Sequence, residues 1–426
     1  MNDTSKLSPD ASPLRIANFR AYWLSRLSMT LAQYAMMLII GWQTYNLARD
    51  GGMGVGAASG QLALIGLLQF IPLFLLTPFS GWAADHFDRR NIARLTVLAQ
   101  LGCAGTLAWF TWSETLTVTV LFGVAIVLGI VRAFNGPALS ALAPNLVPKT
   151  ILPNAIALSS IAWQVGMIVG PAIGGYTYAI MPALPYITAF ALFAVSLAAL
   201  SFIGKVQQPA RAANRRPIHQ MVEGLRYVVR NKMVLGAITL DLFAVFLAGA
   251  TALFPVYARD ILEVGETGLA QLAMAPAVGA ALTALWFSFR PLKTNVGPKM
   301  LWAVAVFGLA TVVFGLSKTM PLSLAMLFII GAADMFSVYI RQSLIQLHTP
   351  DDKRGRVSSV SLLTISASNE FGDFFSGSLA FLIGPVAAVV SGGIGAIVTV
   401  GLWSRVFPVL CTSRTFDPPE ELVEET

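Results

Sequence analysis

Charge is scarce in this chain: only 12% of its 426 residues are Asp, Glu, Lys or Arg. Soluble domains carry about 25%, so this composition excludes an ordinary water-soluble enzyme or binding module. Cysteine and histidine are rarer still. Cys103 lies in an apolar run and Cys411 near the end of the chain, so no disulfide is expected between them. His86, His219 and His348 are not spaced as metal ligands; neither a metal nor a cofactor is expected. No Gly-x-x-x-x-Gly-Lys-Ser/Thr loop, His-Glu-x-x-His or Gly-x-Ser-x-Gly occurs. An ATP-binding motor, a zinc-protease helix and a hydrolase nucleophile turn are therefore not expected, nor is an enzyme. The first 18 residues are polar and include Pro9 and Pro13, unlike the charged start and apolar core of a cleavable signal.

What the chain does have is long apolar runs. Hydrophobic residues make up 56% of it. At about 20 residues per crossing, the runs predict an all-α membrane protein with twelve transmembrane helices. The expected spans are 20–46, 61–83, 92–112, 117–143, 154–178, 184–204, 232–257, 268–288, 299–317, 321–346, 357–382 and 386–408. The runs are continuous rather than alternating, which argues against a β-barrel. Residues 205–231 form the longest polar stretch between spans. They predict a division into a first half (1–204), a linker (205–231), a second half (232–409) and an acidic tail (410–426). Within the linker, His219 to Arg230 has the pattern of an amphipathic helix on the membrane surface.

The basic residues orient the chain. Of 28 Lys and Arg, only Arg49, Arg259 and Lys318 fall in the loops of one face. The other face holds Lys205, Arg211, Arg215, Arg216, Arg226, Arg230 and Lys232, and three further basic groups around residues 90, 295 and 355. Positive charge stays inside, so both termini are expected in the cytoplasm of a multi-pass protein of a bacterial plasma membrane. The same rule accounts for the net charge of +7. The basic residues form no single stripe, so no nucleic-acid partner is expected.

Between the second and third runs lies Gly81-Trp-Ala-Ala-Asp85-His-Phe-Asp88-Arg89-Arg90. This Gly-x-x-x-Asp-x-x-x-Arg-Arg loop resembles the signature between helices 2 and 3 of the major facilitator superfamily. The superfamily usually has Gly where this chain has Asp88, and the Asp-x-x-Asp-Arg-Arg form is similar to the branch of enterobactin-type exporters. Two more strings carry the resemblance. Arg132-Ala-Phe-Asn135-Gly136 is similar to the helix 4 motif Arg-x-x-Gln-Gly. Gly166-Met-Ile-Val-Gly170-Pro171-Ala-Ile-Gly174-Gly175 is similar to the helix 5 antiporter motif, which in the family accompanies exporters. Read without the family, the latter string is a helix-packing face in which glycines four apart admit a second backbone. The resemblance implies the major facilitator fold, two pseudo-symmetric six-helix halves working by alternating access as a monomer. It implies that Asp85 meets the cytoplasmic start of helix 11, locked by Arg89 and Arg90; read without the family, the alternative is that Arg90 and Arg94 are topology-setting charge.

The second half repeats the first. Gly129-x-x-Arg132 precedes Pro148 as Gly331-x-x-Asp334 precedes Pro350, an offset of 202 that also aligns Gly170 with Gly372, Pro171 with Asp373 and Gly175 with Gly377. The second copy of the charged loop, Arg290 to Lys299, keeps basic charge but no Asp. Parallel halves place a substrate site at their interface.

Charges buried in spans are costly and mark function. Asp241, Asp334, Glu370 and Asp373 are such residues in the second half, and Arg26, Arg132 and Arg341 are cavity candidates. Glu370 and Asp373, three apart on one helix face, repel each other, so one of them is expected to keep its proton and serve proton coupling. The structural alternatives are pairs: Asp334 with Arg341, or Asp241 with Arg26. Trp42 and Tyr45 fit an aromatic belt at the outer end of the first span. Together these readings predict a proton-coupled exporter of a small amphipathic molecule such as a siderophore, a drug-like compound or a metabolite. An importer or facilitator, and a non-transporting receptor on the same fold, are the alternatives. The expected partners are that small molecule, protons and the bilayer.

Overall fold

A computed structural model describes residues 12–204, 217–350 and 353–416. The basic cluster Lys205, Arg211, Arg215 and Arg216 and the acids from Asp417 onward lie outside the described residues. With no water in a bilayer core, every backbone N–H and C=O needs a partner within the chain, and for continuous apolar runs the helix is the solution. The described residues form helices and contain no strand. We number them α1 (Ala17–Asp50), α2 (Val55–His86), α3 (Arg89–Trp112), α4 (Val118–Leu142), α5 (Leu152–Ile180), α6 (Leu184–Phe202), α7 (Pro217–Arg230), α8 (Lys232–Ala248), α9 (Gly265–Phe289), α10 (Val296–Leu316), α11 (Met320–Leu347), α12 (Arg354–Ile383) and α13 (Pro385–Val406). Apart from α7, these are the twelve expected spans.

Among the described residues, ten of the twelve are long and apolar enough to cross a membrane by length and composition. The other two are α1 and α12, 34 and 30 residues long but richer in polar groups. The polarity of α1 is used inside the protein. Ser25 bonds Ser196 at 2.7 Å, and Gln43 accepts from the Tyr186 hydroxyl at 2.7 Å. Trp42 and Tyr45 are buried, at 4% and 0% exposure. They belong to the core around α1 and not to the expected aromatic belt, because α1 is enclosed by other helices on that stretch.

The chain divides into two compact units. One comprises Met1–Leu47, Leu68–Asn214 and Glu266–Met274, the other Ala48–Leu67, Arg215–Gly265 and Ala275–Thr426. Within the first unit, α5 meets α1 through the glycine string. A Cβ on Gly166 would lie 2.5 Å from Thr30 Cβ, one on Gly170 2.6 Å from Tyr34 Cβ, and one on Gly174 2.7 Å from Ala35 O. Gly175 turns the other way, toward Ala270 of α9. Only glycine permits so close an approach of two backbones.

The 202-residue repeat returns as geometry. Gly129 of α4 packs on the backbone of Gln69 in α2, and its counterpart Gly331 of α11 packs on that of Pro276 in α9. Gly170 packs on α1, and Gly372 of α12 on Val245 and Phe246 of α8. Gly175 packs on α9, and Gly377 of α12 on Ala63 of α2. Each pair joins equivalent helices of the two halves.

The seventh span departs from its expected form. Instead of one helix over 232–257, α8 stops at Ala248. The chain continues through a 3-10 turn (Thr251–Leu253), a short turn (Phe254–Val256) and a π-helical turn (Tyr257–Ile261). Gly249 weakens the helix, and Pro255 cannot donate to the turn before it.

Gly170→Ala is expected to cost about 1–3 kcal/mol by overpacking against Tyr34, seen as a lower thermal unfolding midpoint of the purified protein. Gly102→Ala, whose new Cβ meets nothing within 4 Å, should show no loss.

Candidate functional site

In the second unit α8 and α11 present charged groups to each other. Asp241 and Arg341 form an ion pair, and both are buried, at 6% and 3% exposure. Asp334, Ser337 and Arg341 follow at positions i, i+3 and i+7 and so share one face of α11. Opposite them, Asp241, Ala244 and Val245 share a face of α8. Asp334, Ser337, Asp241, Ala244 and Val245 line one small pocket, closed on its apolar side by Val304 and Phe307 of α10 and by Ala333. Two carboxylates and one guanidinium thus occupy a low-dielectric site, where unbalanced charge is expensive.

This differs from both pairings expected from the sequence. Arg341 bonds to Asp241 on α8, and not to Asp334 on its own helix. Arg26 bonds within the first unit: its Nε donates to Ser159 O at 3.3 Å and its Nη1 to the Tyr22 hydroxyl at 3.4 Å, fastening α1 to α5. The pseudo-equivalence of spans 1 and 7 suggested the Asp241–Arg26 pair, but the neighbour of Asp241 is set by how α8 packs on α11.

Asp373 has a different setting. Its Oδ1 accepts from Thr251 Oγ1 at 2.9 Å, at the break after α8. The side chain of its expected partner Glu370 lies outside the described residues. Arg132 is half-buried in α4. One turn later Asn135 accepts from Thr96 Oγ1 at 3.2 Å and donates to Met29 Sδ at 3.1 Å, joining α3, α4 and α1.

In the charged loop, Asp88 caps α3. Its Oδ1 accepts from Arg90 N at 3.0 Å, and its Oδ2 pairs with Arg90 Nη2 at 2.5 Å. Arg90 Nη1 also donates to Ile203 O at 3.1 Å, and Arg94 Nη2 to Leu200 O at 3.0 Å, so both arginines bind the end of α6. The Asp that replaces the usual Gly is thus a helix cap and an arginine anchor. Arg89 is half-buried. The side chain of Asp85 lies outside the described residues, as does any description of Gly81 beyond its place in α2.

One arrangement was missed in the sequence although its signal is there. Ala48-Arg49-Asp50 ends α1, and Ala258-Arg259-Asp260 lies in the π-helical turn after α8. The two copies clasp each other reciprocally within the second unit. Arg49 Nη2 meets Asp260 Oδ1 at 2.9 Å, and Arg259 Nη2 meets Asp50 Oδ1 at 2.6 Å. The π turn re-aims its side chains and is held by the Tyr257 hydroxyl donating to Gly315 O at 2.9 Å. Arg49 and Arg259 had served only to count charge by face; the repeated tripeptide was the signal for more.

The family model described as "Transmembrane secretion effector" matches residues 8–416. The chain belongs to this family, within the major facilitator superfamily. Among its relatives, the multidrug efflux pump Tap of Mycobacterium tuberculosis is 26% identical over 372 residues, covering 83% of this chain and 84% of that one. The enterobactin exporter EntS of Escherichia coli is 24% identical over 396 residues, covering 90% and 89%. Among solved structures, the xylose transporter XylE of E. coli superimposes with a TM-score of 0.68 at 13% identity, covering 96% of this chain and 99% of that one. A POT family transporter superimposes at 0.71 with 14% identity, covering 93% and 96%. These structures share the fold. This protein is accordingly a multi-pass membrane protein with the major facilitator architecture.

Removing one partner of the buried pair should be costly: Asp241→Asn or Arg341→Met is expected to destabilise the protein by about 3–5 kcal/mol. The double variant should cost less than either single one, as read by thermal unfolding. For Asp88, the Arg90 guanidinium bonded to it holds the carboxyl below the usual carboxylate range, although partial burial opposes this. Its contribution is therefore complete above the unfolded value of about 4 and lost as pH falls through the lower folded value. Asp88→Ala should cost about 0.5–2 kcal/mol at neutral pH by loss of the cap, and the difference from wild type should shrink in acid below about pH 4.

Proposed function

We propose that this protein is a secondary active exporter of a small amphipathic molecule, driven by proton antiport through alternating access. The observation that carries the coupling is the buried Asp241–Arg341 pair with Asp334 beside it in the same pocket. One guanidinium balances one of the two carboxylates. The other is left to be balanced by a proton or by a cationic group of the cargo, and exchange between those two is antiport. Asp334 is the proton carrier in this reading, Arg341 the fixed counter-charge and Asp241 its partner. Asp373, bonded to Thr251 at the α8 break, serves as a tether.

Export and the amphipathic cargo are supported by the relatives, one named as a multidrug efflux pump and one as an enterobactin exporter. They are supported too by the helix 5 string, whose glycines let α1 and α5 lie backbone to backbone. Siderophores, drug-like compounds and metabolites all fall within this cargo class. Alternating access is supported by the Ala-Arg-Asp clasp. Partly exposed ion pairs are individually weak and reversible, as a gate on the extracytoplasmic face requires. Both termini are cytoplasmic in this reading, and the membrane is the bacterial plasma membrane.

The test uses purified protein in liposomes with an imposed pH gradient, lumenal pH being followed as amphipathic cations and catecholates are added singly. Wild type should move protons only with cargo, and Asp334→Asn should lose that coupling. Cargo flux without proton movement in wild type would make the protein a facilitator. Arg49→Asp should slow transport by about tenfold, and the swapped pair Arg49→Asp/Asp260→Arg should recover most of the loss. A swap no better than the single change would remove the clasp from the mechanism.

A further inference from the structure

The linker helix α7 divides cleanly into two faces. One is docked on the second unit. Glu223 Oε1 accepts from Arg356 Nη1 at 2.5 Å, and a Cβ on Gly224 would lie 2.8 Å from Arg356 O. The Tyr227 hydroxyl donates to His348 O at 2.6 Å, and Lys353 Nζ sits 5.4 Å from the centre of the Tyr227 ring. Val228, 2% exposed, enters a buried cluster with Val234, Ile238, Ile345 and Val357.

Among the described residues, the other face has no such cover. Val222, Leu225 and Val229, at positions i, i+3 and i+7, are 47%, 51% and 57% exposed. Arg226 and Arg230, one turn apart, are exposed along one edge of this stripe. A single residue, Asn231, separates α7 from α8. Its Oδ1 caps α8 by accepting from Met233 N and Val234 N, both at 3.1 Å. The helix that starts at Lys232 is long and apolar enough to cross a membrane, which places α7 at the end of a span. An apolar stripe bordered by arginines at that place has the form of an interfacial helix, and a guanidinium fork matches the oxygens of a phosphate.

We propose that the outer face of α7 is a binding surface for anionic phospholipid. Val222, Leu225 and Val229 enter the boundary between headgroups and acyl chains, and Arg226 and Arg230 hold the phosphate of one anionic headgroup. Because Glu223 and Gly224 grip Arg356 at the start of α12, lipid bound to α7 is mechanically joined to that helix. The inference concerns lipid binding and stands or falls independently of the cargo and of proton coupling.

The test places a nitroxide on Leu225→Cys or Val229→Cys in the full chain carrying Cys411→Ser, reconstituted in phosphatidylcholine with or without phosphatidylglycerol. Both labels should collide with oxygen more than with a water-soluble nickel chelate, and phosphatidylglycerol should move them deeper. Arg226→Gln/Arg230→Gln should abolish the phosphatidylglycerol response. It should also weaken binding of a fluorescent phosphatidylglycerol by about thirtyfold, from about fivefold per arginine at an anionic surface. Labels that favour the nickel chelate in both membranes would overturn the proposal. So would a phosphatidylglycerol response that survives in the double variant, or competition by inorganic phosphate as effective as that by the lipid.

Discussion

In a bilayer, helices gain nothing by hiding apolar side chains from one another, because lipid is as apolar as leucine. They associate where their backbones approach closely enough for dense van der Waals contact. In this protein that approach is made at glycine. Gly166, Gly170 and Gly174 admit α1 to α5, Gly129 admits α2 to α4, and Gly331 admits α9 to α11. A single methyl group at these points would collide with backbone or Cβ atoms. The polar clusters depend on these contacts, since a hydrogen bond or ion pair between helices forms only once the helices are held at a defined distance and rotation.

The polar groups are of three kinds. Most of those on α1, α3 and α6 are satisfied within one unit: Ser25 with Ser196, Gln43 with Tyr186, and Arg90 and Arg94 with backbone carbonyls at the end of α6. They hold helices together. The Asp241–Arg341 pair with Asp334 is of another kind, because the paired acid Asp241 and a second acid, Asp334, line one pocket. The pair alone would be a structural brace. The second carboxylate makes the charge of the site depend on what else is bound. The Ala-Arg-Asp clasp, partly exposed, is a third kind, reversible by its exposure.

Much of this was legible in the chain. Twelve spans, their connection order and the internal repeat were all read from apolar runs and glycine spacing, and the glycines at offset 202 make equivalent contacts in the two halves. The polarity of the first and eleventh spans was visible too, though not where it would be used. What could not be read was partnership. Arg26 was the candidate for Asp241 and Asp334 the candidate for Arg341, yet Asp241 and Arg341 meet, since sequence spacing orders residues along one helix and says nothing of the rotation of its neighbour. Trp42 and Tyr45 looked like belt residues because enclosure of α1 on that stretch is a property of the other helices. The break after Ala248 was hidden because one glycine and one proline do not by themselves end an apolar span.

The sequence by itself determined the class of this protein. Scarce charge, long apolar runs and asymmetric basic loops leave helices across a bilayer as the form that satisfies every backbone group, and the charged loop and glycine strings resemble one superfamily. Only the tertiary structure decided which charges meet: Asp241 with Arg341, Asp334 in their pocket, Asp373 with Thr251, and the two Ala-Arg-Asp copies with each other. The reason is range. Burial and helix propensity act on neighbours along the chain, whereas an ion pair between residues 100 or 211 positions apart exists only after packing has fixed both helices.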